Sequence, residues 1–165
     1  MKIKKITISF EEYDENEKLS PSDSELIDQA TMALKGSYAP YSDFHVGAAV
    51  LLDNGEIIKG ANQENAAYPS SLCAERVALF YANSKYPDAT VVSLAITVST
   101  DHFMCNNPVS PCGSCRQVIA ETEKKQNRTI KIIMKGEKGN TRIFDGIENL
   151  LPVMFHEEKL KKSKK

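Results

Sequence analysis

Residues 110–125 read SPCGSCRQVIAETEKK, and the fold turns on this stretch starting a helix. Ser110 is an N-cap candidate, and Pro111 suits the first helical position, where its missing N–H costs nothing. Cys112 and Cys115, three apart, then face one side of the first turn. Unpaired N–H groups and a dipole end of about +0.5 charge favour thiolates there. Such a place suits a redox pair or two metal ligands, and incidental packing is the third reading.

Working outward, VVSLAITVS (91–99) is a strand with apolar residues on both faces, so it is central in a sheet. TIKIIMKG (129–136) and TRIF (141–144) are further strands, and IENLLPVMF (147–155) forms a last helical turn. Upstream, SSLCAERVALFYANSK (70–85) reads as a helix capped by Ser70 or Ser71. VGAAVLLD (46–53) and EIIKGAN (56–62) flank Asn54-Gly55, a dipeptide that favours the positive backbone angles of a hairpin turn. SDSE (22–25) has capping-box form, and Leu26, Ile27, Ala30, Ala33 and Leu34 keep helical spacing up to Gly36. ITISF (6–10) alternates like an edge strand, with a polar linker over 11–20. A hairpin followed by alternating helices and strands predicts an α/β layered fold around one mixed sheet. The expected division is an extension of strand and linker at 1–22, a catalytic domain at 23–160 and a basic tail at 161–165.

A chain of 165 residues can bury one core without disulfide staples. Its 21 Lys+Arg against 22 Asp+Glu give net charge −1, so no overall basic field recruits nucleic acid or an anionic membrane. The end KLKKSKK (159–165) reads as a solvated tail. The N-terminus lacks the apolar run of a secretory signal, and no apolar stretch nears membrane-spanning length. The expected compartment is the cytoplasm, where clustered cysteines argue for metal or catalysis rather than a structural disulfide.

Cys73 opens the second predicted helix in CAER (73–76). Residues two apart diverge by about 200° on a helix side, yet at its N-terminus both reach an object beyond the end. Cys73 can thus ligate a metal while Glu75 stands beside a metal-bound water. Two helix N-termini meeting at one zinc give three thiolates and an open fourth position, which is what separates a catalytic zinc from a structural one.

Cys73-Ala74-Glu75 followed by Pro111-Cys112-Gly113-Ser114-Cys115 has the spacing of the zinc deaminases. With SYAPYSDFHVGAAV (37–50), GANQENAAYPSSLCAERVAL (60–79), VSPCGSCRQVIAE (109–121) and LLPVMF (150–155), the chain resembles the small cytidine deaminases that act on free nucleosides. The resemblance implies a three-layer α/β/α fold on a central mixed five-stranded sheet. It implies one Zn²⁺ per chain on Cys73, Cys112 and Cys115, and hydrolytic deamination of free cytidine and deoxycytidine in pyrimidine salvage. Zinc-held hydroxide attacks C4, and Glu75 carries protons to ring N3 and to the leaving amine.

The resemblance also assigns positions around that centre. Three thiolates leave zinc at a formal −1, which the helix N-termini and hydrogen bonds from Arg76 to ligand sulfur offset; Ser110 and Pro111 support the second motif. Asn62 and Glu64 hold the ribose 3′-hydroxyl, Phe44 packs on the pyrimidine, and Ala74 belongs to the substrate contacts. A carboxylate at the 3′-oxygen repels a 3′-phosphate, which excludes a nucleotide inside a strand. Tyr68 and Phe155 match positions that reach across subunits of a homotetramer.

The N-terminal extension and DHFMCNNP (101–108), with its Cys105, depart from the resemblance, and His45, His102 and His156 read as ordinary histidines. Four readings compete. A CxxC redox protein leaves Cys73 and Glu75 idle. A structural Cys₄ zinc module recruits Cys105. A blasticidin-S-type deaminase keeps the chemistry and changes the substrate. A polynucleotide editor conflicts with the balanced charge and with Glu64.

Overall fold

The computed structural model describes residues 1–156; the tail expected at 161–165 lies outside the described residues. Its strands are β1 (Glu11–Tyr13), β2 (His45–Leu52), β3 (Ile57–Ala61), β4 (Val91–Ser99), β5 (Lys131–Lys135) and β6 (Thr141–Asp145). The helices are α1 (Pro21–Ala33), α2 (Ala74–Lys85) and α3 (Gly113–Gln126). One mixed sheet runs β1-β6-β5-β4-β2-β3, parallel only between β4 and β5, the pair joined through α3. A parallel pair needs such a crossover.

Alternation along the strands builds the three expected layers. Ala48, Val50 and Leu52 of β2, Leu94 and Ile96 of β4, and Ile132 and Met134 of β5 bury against α2 and α3. The residues between them, Ala49, Ala95 and Ile133, face the other way and meet Leu26, Ile27 and Ala30 of α1. Each large aliphatic side chain so buried contributes about 1.5–3 kcal/mol. Leu79 of α2 is wholly buried; truncating such a leucine to alanine costs about 2–5 kcal/mol.

Several expectations shift. The sheet has six strands rather than five, because β1 adds at an edge through Glu11↔Ile143, Glu12↔Arg142 and Tyr13↔Thr141. This strand lies in the stretch read as linker, while Ile6 and Ile8 stay exposed before it. The ladder with β6 stops at Glu11↔Ile143, so Ile6 and Ile8 lie beyond it. Helix α1 starts earlier than SDSE implied: Ser20 is the N-cap, its Oγ accepting from the Asp23 N–H at 3.1 Å, and Pro21 takes the first position. In the hairpin turn only Gly55 of the Asn-Gly pair takes a positive φ, +85°. The final stretch gives one 3₁₀ turn, Ile147–Asn149, and nothing helical around Pro152.

Candidate metal centre and cleft

Helices α2 and α3 each begin one residue after a cysteine. Cys73 is the N-cap of α2 and Cys112 that of α3, both with extended backbone and neither capping a backbone N–H with its side chain. This corrects the expectation that Ser70, Ser71 or Ser110 caps them and that Pro111 sits inside the helix. Cys112 and Cys115 occupy the N-cap and N3 positions, which lie side by side at a helix mouth. Packing fixes where α2 starts. A Cβ on Gly60 of β3 would fall 2.5 Å from the Ala78 nitrogen and 2.6 Å from the Ala74 carbonyl oxygen. Only glycine lets the first turn press onto the sheet so closely.

The two mouths bring three sulfurs together. Cys73 and Cys112 Sγ are 3.7 Å apart, Cys112 and Cys115 Sγ are 3.4 Å apart, and all three lie within 4.8 Å of one another. A tetrahedral zinc with Zn–S bonds of about 2.3 Å separates its sulfurs by about 3.8 Å. The donor set therefore fits zinc. A hydrogen bond from Cys115, with help from Arg76, brings the Cys73 thiol down to about 5. Hydrogen bonding to Cys73 and burial push the Cys115 thiol far up. Only part of the trio can ionise unless a positive ion is added. Cys105 is buried elsewhere and is not in this group, which removes the four-cysteine reading.

Glu75 sits one helical position beyond Ala74 and is 4% exposed. Burial first, and then the charge of Cys73, raise its carboxyl above the usual range. Arg76 Nη2 reaches Cys73 Sγ at 3.7 Å and the Ser71 carbonyl at 3.3 Å, while its buried Nε has no partner.

A cleft of about 460 Å³ runs from these groups to the loop after β3; Phe44, Asn62, Glu64, Tyr68, Cys73, Glu75, Arg76, Ser110 and Cys112 all line it. At its far end Glu64 accepts from the backbone N–H of Tyr41 at 2.9 Å and of Ser42 at 3.3 Å, and from the Ser42 hydroxyl. The hydroxyl bond, first among these, holds its carboxyl below the usual range. Asn62 accepts from the Val46 N–H and donates to the Phe44 carbonyl, each at 2.8 Å. Ala74 is buried under this floor, and Pro111 gives its carbonyl to Arg116 Nε at 2.8 Å.

Tyr68 stands at the cleft rim, 72% exposed, and meets Tyr41 edge-on with centroids 5.9 Å apart, whereas Phe155 is 63% exposed and lines no part of the cleft. His156 is exposed as well. Sequence reading missed Ser37, Ser42 and Arg116, which brace Asn62, Glu64 and Pro111, and the apolar floor at Ile96 and Val109. Ser42 lies inside a segment that carries the resemblance, but nothing in its spacing marks it.

A dry carboxyl beside three convergent thiolates, at the mouths of two helices on a mixed sheet, is the arrangement of a zinc-dependent deaminase. Comparison with known proteins agrees. A family model described as the cytidine and deoxycytidylate deaminase zinc-binding region matches residues 20–130. The cytidine deaminase of Halalkalibacterium halodurans is 50% identical over 96 residues, 58% of this chain and 68% of that one. That of Sporosarcina psychrophila is 40% identical over 135 residues, 82% of this chain and 92% of its own length. The crystal structure of cytidine deaminase from Burkholderia pseudomallei superposes with a TM-score of 0.70 at 36% identity, covering 80% of this chain and 98% of that one. A blasticidin-S deaminase of Bacillus cereus is similar at a lower level, 30% over 139 residues, 83% of this chain and 94% of its own. The chain belongs to the cytidine and deoxycytidylate deaminase family and is a zinc-dependent hydrolytic deaminase.

Proposed function

We propose that the protein deaminates free cytidine and deoxycytidine, giving uridine or deoxyuridine and ammonia. The observation that carries this is a cleft with a carboxyl raised by burial beside three sulfurs at one end and a hydrogen-bonded carboxyl held below the usual range at the other. Cys73, Cys112 and Cys115 hold the zinc, which supplies a Lewis acid that brings the pKa of water to near 7.

The chain's own residues do the rest. Glu75 would take a proton from the attacking water and give it to ring N3, then take the proton of the hydroxyl added at C4 and give it to the leaving amine as the C4 carbonyl forms. Its burial suits it to that work, since a carboxyl with a raised pKa can hold a proton between transfers. Arg76 and the two helix N-termini offset the charge of the thiolates. Phe44 packs on the pyrimidine over the floor of Ile96 and Val109, and Ser110 shapes the wall beside Cys112, while Ala74 and Pro111 lie outside the lining and support it from behind. Asn62 and Glu64 take the sugar 3′-hydroxyl: Glu64 as acceptor, Asn62 through the N–H that its bond to Phe44 leaves over. The same carboxylate repels a 3′-phosphate, so a strand is rejected.

Assembly completes the reading. Tyr68 at the cleft rim and Val153 and Phe155 in the C-terminal loop are 72%, 82% and 63% exposed, which leaves their apolar surface available to a neighbouring subunit. We read these as contacts of a homotetramer in which a neighbour's aromatic closes the cleft. Among the described residues no helix is long and apolar enough to cross a membrane; a role in cytoplasmic pyrimidine salvage goes with the substrate.

The test is ammonia release from cytidine, deoxycytidine, CMP, adenosine and blasticidin S by protein of known mass from light scattering. Turnover of both cytidine nucleosides by a tetramer is expected. Preference for blasticidin S would replace the substrate while keeping the chemistry.

A further inference from the structure

The nucleoside reading leaves Asp43, His45 and His102 without a task, yet the structure gathers them behind Phe44 and Asn62. Asp43 stands in the left-handed region at φ 52°, a conformation that Asp and Asn tolerate better than other side chains. One of its oxygens lies 3.4 Å from His45 Nε2 and the other 3.4 Å from His102 Nε2. His102 belongs to the 101–108 segment, which lies outside the resemblance. On its other side, His45 Nδ1 is 2.9 Å from Ser37 Oγ, and Ser37 Oγ is 2.5 Å from Asn62 Oδ1.

Counting hydrogens gives this chain a direction. The Val46 N–H donates to Asn62 Oδ1, and Asn62 Nδ2 donates to the Phe44 carbonyl. A flipped amide would set donor against donor and acceptor against acceptor, so the oxygen faces Ser37. The Ser37 hydroxyl must then give its single hydrogen to Asn62. Its oxygen is left to accept, and His45 Nδ1 carries the hydrogen that it accepts. Nε2 of the same ring faces an Asp43 carboxylate oxygen at 3.4 Å, which fixes how the ring is turned.

We infer that Asp43, His45 and His102 are positioning residues for the sugar end of the cleft, locking Asn62 through Ser37 so that its free N–H is presented to the substrate's 3′-hydroxyl. The inference rests on the nucleoside reading above. Through His102 it also gives the 101–108 segment a part in the site. His102 is the most exposed of the three, at 66% against 34% for His45 and 41% for Asp43, so its share is the smallest.

The experiment compares cytidine with 3′-deoxycytidine, which lacks the hydroxyl in question. His45→Phe removes the hydrogen bond to Ser37 and the contact with Asp43, and should lower kcat/KM for cytidine about tenfold. His45→Asn, whose amide nitrogen can replace Nδ1, should recover to within about twofold of wild type. Asp43→Asn keeps the left-handed backbone and should lose about threefold, so it decides the matter if His45→Phe fails to fold. On 3′-deoxycytidine all variants should match the wild type, because a general structural defect would slow both substrates alike. Equal losses on the two substrates, or no loss on cytidine, would overturn the inference. Wild-type turnover of cytidine is the separate control for the deaminase reading. Whatever that control gives, the ¹⁵N shifts of His45 test the relay: a protonated Nδ1 supports it and a bare Nδ1 refutes it.

Discussion

At one end of the cleft three sulfurs crowd within 4.8 Å beside a buried carboxyl, and an arginine Nε lies buried without a partner. At the other end Glu64 already accepts from Tyr41 and Ser42, and Asn62 already bonds Val46, Phe44 and Ser37. The first end gathers groups whose ionisation is shifted in opposite directions, Cys73 down and Cys115 up. The second satisfies its polar groups within the chain. On the proposed reading, chemistry falls to the end that suits an added ion, and recognition to the end whose dipoles are fixed in advance.

The hardest test of this contrast is Glu75→Gln. If the sulfur end carries the chemistry, the amide should keep zinc and melting temperature but lose about 10²- to 10⁴-fold in kcat, since it cannot hold and release a proton. Stopped assays for ammonia, with zinc content measured on the same preparation, check this. A near-native rate would falsify the role given to Glu75.

Stripping the metal sharpens the same point. In zinc-free protein Cys73 ionises at about 5, so its thiolate forms as pH rises through that value and is the main species at neutrality. Cys105 and Cys115 are shifted the other way, Cys105 chiefly by burial. Alkylation at pH 6.5 after chelation should therefore modify Cys73 at least tenfold faster than Cys105, and added zinc should protect it. Mass mapping of the alkylated sites decides this, and equal labelling of the cysteines would count against a preformed thiolate.

At the sugar end, Glu64→Gln should have a milder effect. The amide offers N–H groups to a pocket of N–H and O–H donors, so one contact with Tyr41 or Ser42 is lost along with the charge. A fall of about tenfold in kcat/KM for cytidine is expected. Cytidine 3′-phosphate should gain relative to cytidine, because the repulsion is gone. If the ratio between the two substrates does not change, Glu64 does not set it.

The same contrast explains what could be read from sequence. Metal ligands must be particular residue types at particular spacings, so Cys73, Glu75, Cys112 and Cys115 stood out before any coordinates. So did the central strand, because residues 91–99 carry apolar side chains on both faces, as Leu94 and Ile96 on one side and Ala95 on the other show. The helix starts were misread because serine and proline are good opening signals in general, whereas here the cap positions are occupied by the thiols. The added edge was misplaced because Glu11 to Tyr13 looks polar and its pairing depends on Thr141 to Ile143, over a hundred residues away. Ser37, Ser42 and the His45–Asp43–His102 group were invisible for a similar reason. Each acts through backbone amides or distant side chains, and a hydroxyl or imidazole alone has no spacing rule.

The smallest expected effect belongs to Cys105, and it tests whether the metal end stops at three sulfurs. The segment around it is held by backbone: the Cys105 N–H donates to Glu137 Oε2 at 2.9 Å, and its carbonyl accepts from the Glu137 N–H at 2.8 Å. A Cβ on Gly136 would fall 2.2 Å from that carbonyl oxygen, so the loop is seated directly on the turn between β5 and β6. The thiol itself, in a residue 6% exposed, only fills space. Cys105→Ser should cost about 1 kcal/mol for burying a hydroxyl, about 2–4 °C in melting temperature for a chain of this size. Zinc content and turnover should be unchanged. Loss of metal in that variant would reopen the four-cysteine site and close the open coordination position on which the deaminase chemistry depends.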